Sequence, residues 1–190
     1  MITGILLAAG RAERFGGNKL RAHLPDSRTV AGAAAGNMVA ALPRVLAVVR
    51  PDSEALEELL RTAGCEIVVC DDADEGMGNS LACGVRATRE SDGWIVALAD
   101  MPIIRPETIQ RLAARLTDGA AIVAPTYNGH RGHPVGFAAR FANDLATLTG
   151  DEGARQILQA HRDDLRLIET DDPGVLHDID EPRDFPDPSG

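Results

Sequence analysis

The sequence predicts an α/β protein, a three-layer α/β/α domain built on a mostly parallel mixed sheet. Five short aliphatic runs, at 2–8, 45–49, 66–70, 94–99 and 121–124, lack polar alternation. Such runs suit strands covered on both faces. Helical stripes lie between them, and alternation of the two kinds of element calls for right-handed crossovers. Hydrophobic residues make up 44% of the 190-residue chain and aromatics only 3%, so a sizeable core is available and it must be aliphatic.

Each element has a local reason. Ile2 to Ala8 is a short apolar run followed by a glycine-containing loop, a buried first strand. Thr29 to Leu42 is alanine-rich and helical, weakened by Gly32 and Gly36. Leu56, Leu59, Leu60 and Ala63 share one helix face, with Asp52 and Ser53 as N-cap candidates. Ser80 is a possible cap for a helix that follows the third strand. Ile109, Leu112, Ala113 and Leu116 form a stripe opened by Pro106. Ala154, Ile157 and Leu158 make a further helix. Pro134 to Phe137 reads as a returning, antiparallel strand, and the Asp- and Pro-rich tail from Asp171 as a loop that crosses the domain and frays. The whole chain, 1–190, is expected to be one domain.

Composition narrows the function. A net charge of -10 argues against nucleic-acid or anionic-membrane partners, and few aromatics argue against a base-stacking platform. Met1 to Gly10 fits neither a signal peptide nor a membrane span. Cys65, Cys70 and Cys83 have no zinc spacing and read as buried, reduced thiols, which points to a cytoplasmic protein. The only lysine among 19 basic residues is Lys19, in a glycine-rich loop.

In an open α/β sheet, ligands sit beyond the carboxyl ends of the strands. Ala8 to Lys19 leaves the first strand there, with small residues followed by Arg14 and Lys19. It is either a phosphate cradle or a plain strand-to-helix turn, and it is neither a Walker A loop nor GxGxxG. Asp100 ends a buried strand and needs a partner, which can be a divalent metal, an arginine or a helix N-terminus. Asp178 and Asp180 flank an inward Ile179, a pattern that also describes a solvated acidic turn. Asp71 to Leu81 joins a strand to a helix whose free N–H groups can bind a base or phosphate. His130 and His133 lack further ligands for zinc.

Taken together, these segments resemble the molybdenum cofactor cytidylyltransferase family, the MocA/MobA-like nucleotidyltransferases. Residues 7–19 follow LAAGxSxRFGxxK except at Ala12. Residues 76–81 are similar to GMGxSL, 97–102 to LxDMP, 131–135 to RGHPV, 150–155 to GDxGAR and 178–182 to DIDTP. Residues 20–43 match weakly. The resemblance implies a Rossmann-like, GT-A-like nucleotidyltransferase fold. It implies that Leu7, Ala8, Ala9 and Gly10 face the base, and that Arg14 and Lys19 contact phosphates. Asp100 and Asp180 would bind Mg2+, and Ser80 and Asp71 would help hold the nucleotide. Arg131, His133, Asp151 and Arg155 would line the acceptor side. Catalysis would rest on Arg14, Lys19 and Asp100.

The implied reaction moves CMP from CTP to the phosphate of molybdopterin cofactor and releases pyrophosphate. The acceptor phosphate is already anionic, so no general base is needed, which fits the absence of a Ser–His–Asp or Cys–His set. The rivals are GTP as donor, another small phosphate acceptor, and a non-catalytic nucleotide-binding or cofactor-delivery protein. A recipient molybdoenzyme or its chaperone is the expected macromolecular contact.

Overall fold

A computed structural model describes residues 1–10 and 19–185. The central sheet runs β3-β2-β1-β4-β7-β5-β6, with β8 also paired to β5. Its strands are β1 (Ile2–Leu7), β2 (Val45–Val49), β3 (Glu66–Val69), β4 (Gly93–Leu98), β5 (Ile122–Tyr127), β6 (His130–Arg131), β7 (Val135–Ala138) and β8 (Leu165–Glu169). β1 to β4 pair in parallel, β7 runs antiparallel between β4 and β5, and β8 is parallel to β5. The mixed, mostly parallel sheet expected from the aliphatic runs is therefore present.

The helices are α1 (Val30–Ala41), α2 (Glu54–Thr62), α3 (Met77–Ala87), α4 (Pro106–Thr117), α5 (Ala142–Ala146) and α6 (Arg155–Ala160). Two aliphatic clusters sandwich the sheet. Leu6 and Ala8 point into one, with Val30, Met38, Leu60, Ile109 and Leu112. Ile5, Leu7 and Ala9 point into the other, with Leu81, Val85, Leu145 and Leu158. This strict alternation along β1 follows from the two-residue period of a strand whose faces are both covered.

Local chemistry sets the helix ends. Thr29 caps α1, its side chain accepting from the Gly32 amide at 3.2 Å. Ser53 occupies the N-cap of α2 without a side-chain cap bond, while Asp52 sits at φ 58°. α3 begins at Met77 with Gly76 as N-cap, so Ser80 is not a cap but a buried residue inside the helix. β8 has no signal in the periodicity. It is an edge strand whose Arg166, Leu167 and Glu169 are exposed, so its pattern lacks both alternation and a continuous apolar run.

The tail does not fray at Asp171. Asp172 is buried and accepts from the Arg105 amide at 2.8 Å, the Thr108 hydroxyl at 2.7 Å and the Gly174 amide at 3.0 Å. Val175 and Ile179 are fully buried. The carboxylate thus ties the returning tail to the start of α4, and residues 173–180 are laid along the ends of the central strands. Among the described residues no helix is long and apolar enough to cross a membrane.

Candidate active site

The strand ends carry the site. β4 stops at Leu98, and the Ala99 amide donates to the Leu7 carbonyl at 3.0 Å. A turn then presents Asp100, with Asn37 donating to the Pro102 carbonyl at 2.9 Å behind it. The Ile179 amide donates to the Asp100 carbonyl at 2.8 Å, which sets Asp180 beside it. Lys19 opens a single 3-10 turn, Lys19–Arg21, anchored by buried Leu20. Its ammonium donates to Asp100 Oδ2 and to Asp180 Oδ1, each at 2.8 Å.

Three segments distant in sequence therefore meet at one ammonium. Lys19 is not the exposed loop lysine that a glycine-rich segment predicts, because its side chain is only 12% exposed. Burial pushes its pKa down, but the hydrogen bonds and charges of Asp100 and Asp180 more than reverse this, and the net shift is upward. Asp100 Oδ1 is buried and has no hydrogen-bond partner among the described residues. An acceptor left bare beside a second carboxylate is costly and is matched by a cation. Among the described residues no group of three or more His, Cys, Asp or Glu forms a metal set. Two carboxylates suit a magnesium-like ion that keeps waters and substrate phosphates as its other ligands.

His133 lies behind this cluster. Burial pushes its pKa below the usual imidazole value, and the Arg131 charge adds to the fall, while Asp100 and Asp178 oppose it. At neutral pH the ring is therefore uncharged. Its amide donates to the Val175 carbonyl at 2.9 Å, so the segment after β6 is fastened to the same tail that carries Asp180.

The other predicted residues are placed as follows. Leu7, Ala8 and Ala9 bury their side chains in the two core clusters, and the Ala8 amide donates to the Val48 carbonyl at 2.9 Å. What they can offer a base is backbone at the strand end, not a wall of side chains. Gly10 is exposed beside them. Arg14 lies outside the described residues, as does the rest of 11–18. Asp71 is exposed at the end of β3. Asp151 follows the Gly150 turn, and Arg131 and Arg155 share a cavity farther along the sheet.

The start of α3 is already occupied. The Gly78 amide donates to the Gly150 carbonyl at 2.7 Å, so it is not free for a base or phosphate. A Cβ on Gly76 would lie 2.2 Å from the Gly150 carbonyl carbon, and Gly76 has φ 135°, so both packing and backbone demand glycine. Asn79, unread in the sequence, locks this junction. Its amide nitrogen donates to Asp72 at 3.1 Å and Glu75 at 3.3 Å, and its oxygen accepts from the Gly150 amide at 2.9 Å. The only available signal was its place between Gly78 and Ser80 in a glycine-rich helix start.

Of the cysteines, Cys65 and Cys70 are buried and Cys83 is half-buried. Burial pushes the Cys65 thiol up to about 11. The Cys70 thiol is also raised, by burial and by its hydrogen bond to Asp72, so both are inert at neutral pH.

A family model described as the MobA-like NTP transferase domain matches residues 4–165, a span that contains Lys19 and Asp100. The chain belongs to that family. It is 29% identical to the purine catabolism protein PucB of Bacillus subtilis (strain 168), covering 97% of this chain and 94% of that protein. It is 32% identical to the nicotine blue oxidoreductase of Paenarthrobacter nicotinovorans, covering 94% and 92%. Among solved structures, Rv0371c from Mycobacterium tuberculosis H37Rv superposes with a TM-score of 0.83 at 28% identity, covering 97% of this chain and 94% of that one. Rv0371c has also been solved in complex with manganese, at a TM-score of 0.80 and 26% identity, covering 97% and 95%. The MobA-like chain is thus a nucleotidyltransferase of Rossmann-like fold.

Proposed function

We propose that this MobA-like NTP transferase moves CMP from CTP to the phosphate of molybdopterin cofactor and releases pyrophosphate. The observation that carries the nucleotidyl part is the buried, unpaired Asp100 Oδ1 beside the Lys19–Asp180 pair at the strand ends. Asp100 and Asp180 would hold a divalent ion, Mg2+ in this reading, and that ion supplies charge neutralisation for the triphosphate. The manganese complex of Rv0371c is consistent with a divalent ion in the family.

Lys19 would turn from the carboxylates to the phosphates and offset the charge that develops at the α-phosphorus. Arg14 would act alongside it. The first-strand end, Leu7 to Gly10, would present backbone donors and acceptors to the base, with Ser80 and Asp71 nearer the sugar. Arg131, His133, Asp151 and Arg155 would form the acceptor side, where neutral His133 can donate to an acceptor phosphate without itself being a cation. That phosphate attacks in line, is anionic from the outset and needs no base, so orientation and charge do the chemistry.

Support for cytidine comes from the LAAG sequence at residues 7–10, which resembles the cytidylyl-transferring branch. Pyrophosphate release from CTP, GTP, ATP and UTP, with and without molybdopterin cofactor, tests the reading. CTP-dependent release only when the cofactor is added is expected. Preference for GTP corrects the base alone, and release with another phosphate acceptor corrects the acceptor alone. Binding without release would make the chain a delivery protein. The name of one relative favours a redox reading, so NADH and NADPH oxidation belongs in the same panel. Nicotinamide turnover without pyrophosphate release would refute nucleotidyl transfer to this acceptor.

A further inference from the structure

An open cavity of about 540 Å³ lies between α6 and the outer edge of the sheet, lined by Arg131, Arg155, Arg162, Gln159 and the leucines 158, 165 and 167. It is assembled from three places. Strand pairing sets Arg131 opposite Thr126 of β5, and Leu165 and Leu167 of β8 opposite Ile122 and Ala124. Alternation puts all of these on one face, and α6 and the 3-10 turn Arg162–Asp164 close over it with Arg155, Gln159 and Arg162.

The charge there is out of keeping with the rest of the chain. The protein carries a net charge of -10, yet the guanidinium groups of Arg131, Arg155 and Arg162 make no ion pair with any described residue. Two acids on these elements are engaged elsewhere: Asp164 with Arg140 at 2.7 Å, and Glu169 accepting from the Thr126 hydroxyl at 2.8 Å. Three like charges set around one space repel each other unless an anion fills it. Leu167 is 54% exposed and Leu165 is partly exposed, so the same space has an apolar floor. Guanidinium forks recognise phosphate, carboxylate or sulfonate groups in pairs, and the leucines favour a carbon body between them.

We propose that this cavity binds an organic polyanion, a molecule with an apolar body and two or more anionic groups, and that Arg162 and Arg155 hold a group remote from the one that reacts. Arg131 lies two residues before His133, whose amide donates to the Val175 carbonyl at 2.9 Å, and the same tail continues to Ile179, whose amide donates to the Asp100 carbonyl, so the cavity adjoins the segment that reaches the candidate site. Assigning the ligand as the acceptor rests on the proposed nucleotidyl transfer. The existence of the site does not.

The test is a fluorescence-anisotropy titration of pyrene-1,3,6,8-tetrasulfonate against the full chain, with no nucleotide or metal present. The native protein should bind it, less tightly as salt is raised. The double variant Arg155→Gln/Arg162→Gln should weaken binding at least about tenfold, as expected for losing two charge-assisted contacts. Arg89→Gln, an exposed arginine elsewhere, should leave binding unchanged. Leu167→Glu, which puts a carboxylate on the floor, should also abolish it. No binding by the native chain, equal binding by the double variant, or an equal loss in Arg89→Gln would each overturn the site. If instead the site stands while no acceptor yields pyrophosphate, only the transfer reading fails.

Discussion

Lys19 blocks the two carboxylates that would otherwise attract a metal, and its removal should have opposite effects on metal binding and on turnover. Asp100 Oδ2 and Asp180 Oδ1 each lie 2.8 Å from one nitrogen, so the two oxygens stand within twice that distance of each other. In Lys19→Ala they face each other with no cation between them. At an effective dielectric of about 20, two unit charges about 5 Å apart repel by roughly 3 kcal/mol. Asp180 is 51% exposed and solvent screens part of this, so about half is the larger usable share. A divalent ion relieves that repulsion and no longer has to displace an ammonium. Lys19→Ala should therefore bind Mn2+ at least about tenfold more tightly than the native protein in the absence of nucleotide, the equivalent of about 1.4 kcal/mol. The same variant should lose about 100-fold in turnover, the loss typical of one preorganised charge. Titration followed by the Mn2+ electron-paramagnetic signal, beside a pyrophosphate assay, reads both. Unchanged or weaker Mn2+ binding would refute the view that Lys19 and the metal share these carboxylates.

Other expectations follow from other parts of the fold. Asp100→Asn should nearly stop transfer and remove the magnesium dependence of CTP binding in calorimetry, whereas Asp180→Asn, whose side chain is more exposed, should weaken both less. A Cβ on Gly10 meets no described residue within 4 Å, so Gly10→Ala should leave the melting temperature unchanged within about 2 °C while raising the nucleotide KM, the pattern of a residue kept small for a ligand. Asp172→Ala strands two amides and a hydroxyl and should cost about 3 kcal/mol in urea unfolding. Arg44 donates to both Glu66 oxygens at 2.9 Å and lowers that carboxyl's pKa, and it adds to the fall that a backbone hydrogen bond already imposes on Glu90. A depressed carboxyl pKa stabilises the fold above the unfolded value and loses that contribution as pH falls. Arg44→Met should accordingly destabilise slightly near neutrality, with the gap to the native protein closing as pH falls below the ordinary carboxylate range, by denaturation at each pH.

The parts of the site that were legible in the sequence are those whose signal is local. Asp100 stands out because it ends an apolar run, and Lys19 because it is the only lysine in an arginine-rich chain. The strand runs at 45–49 and 94–99 and the stripe opened by Pro106 needed only their own residues to be recognised, and the fold agrees with them. Ser80 misled because a serine near a helix start is a common cap, whereas here two glycines already close that start against the Gly150 loop. That contact joins residues about 70 positions apart, and no window along the chain contains it.

The tail is the sharper case. Asp and Pro in succession favour turns and exposure, and nothing near Asp172 announces that its carboxylate will meet the start of α4, 67 residues earlier. Yet that contact, with the buried Val175 and Ile179, decides whether Asp180 reaches Lys19, 161 positions away. The second carboxylate of the site is thus placed by the packing of an otherwise unremarked segment, not by the acidic motif that contains it. The same holds for the arginine cavity. Arg162 has no motif, and β8, whose leucines floor the space, is an edge strand without a readable period. Lys19 and Asp100 of the candidate site were visible as chemistry, whereas residues that position them or line the proposed cavity became visible only once the edge strand and the tail had been laid against the sheet.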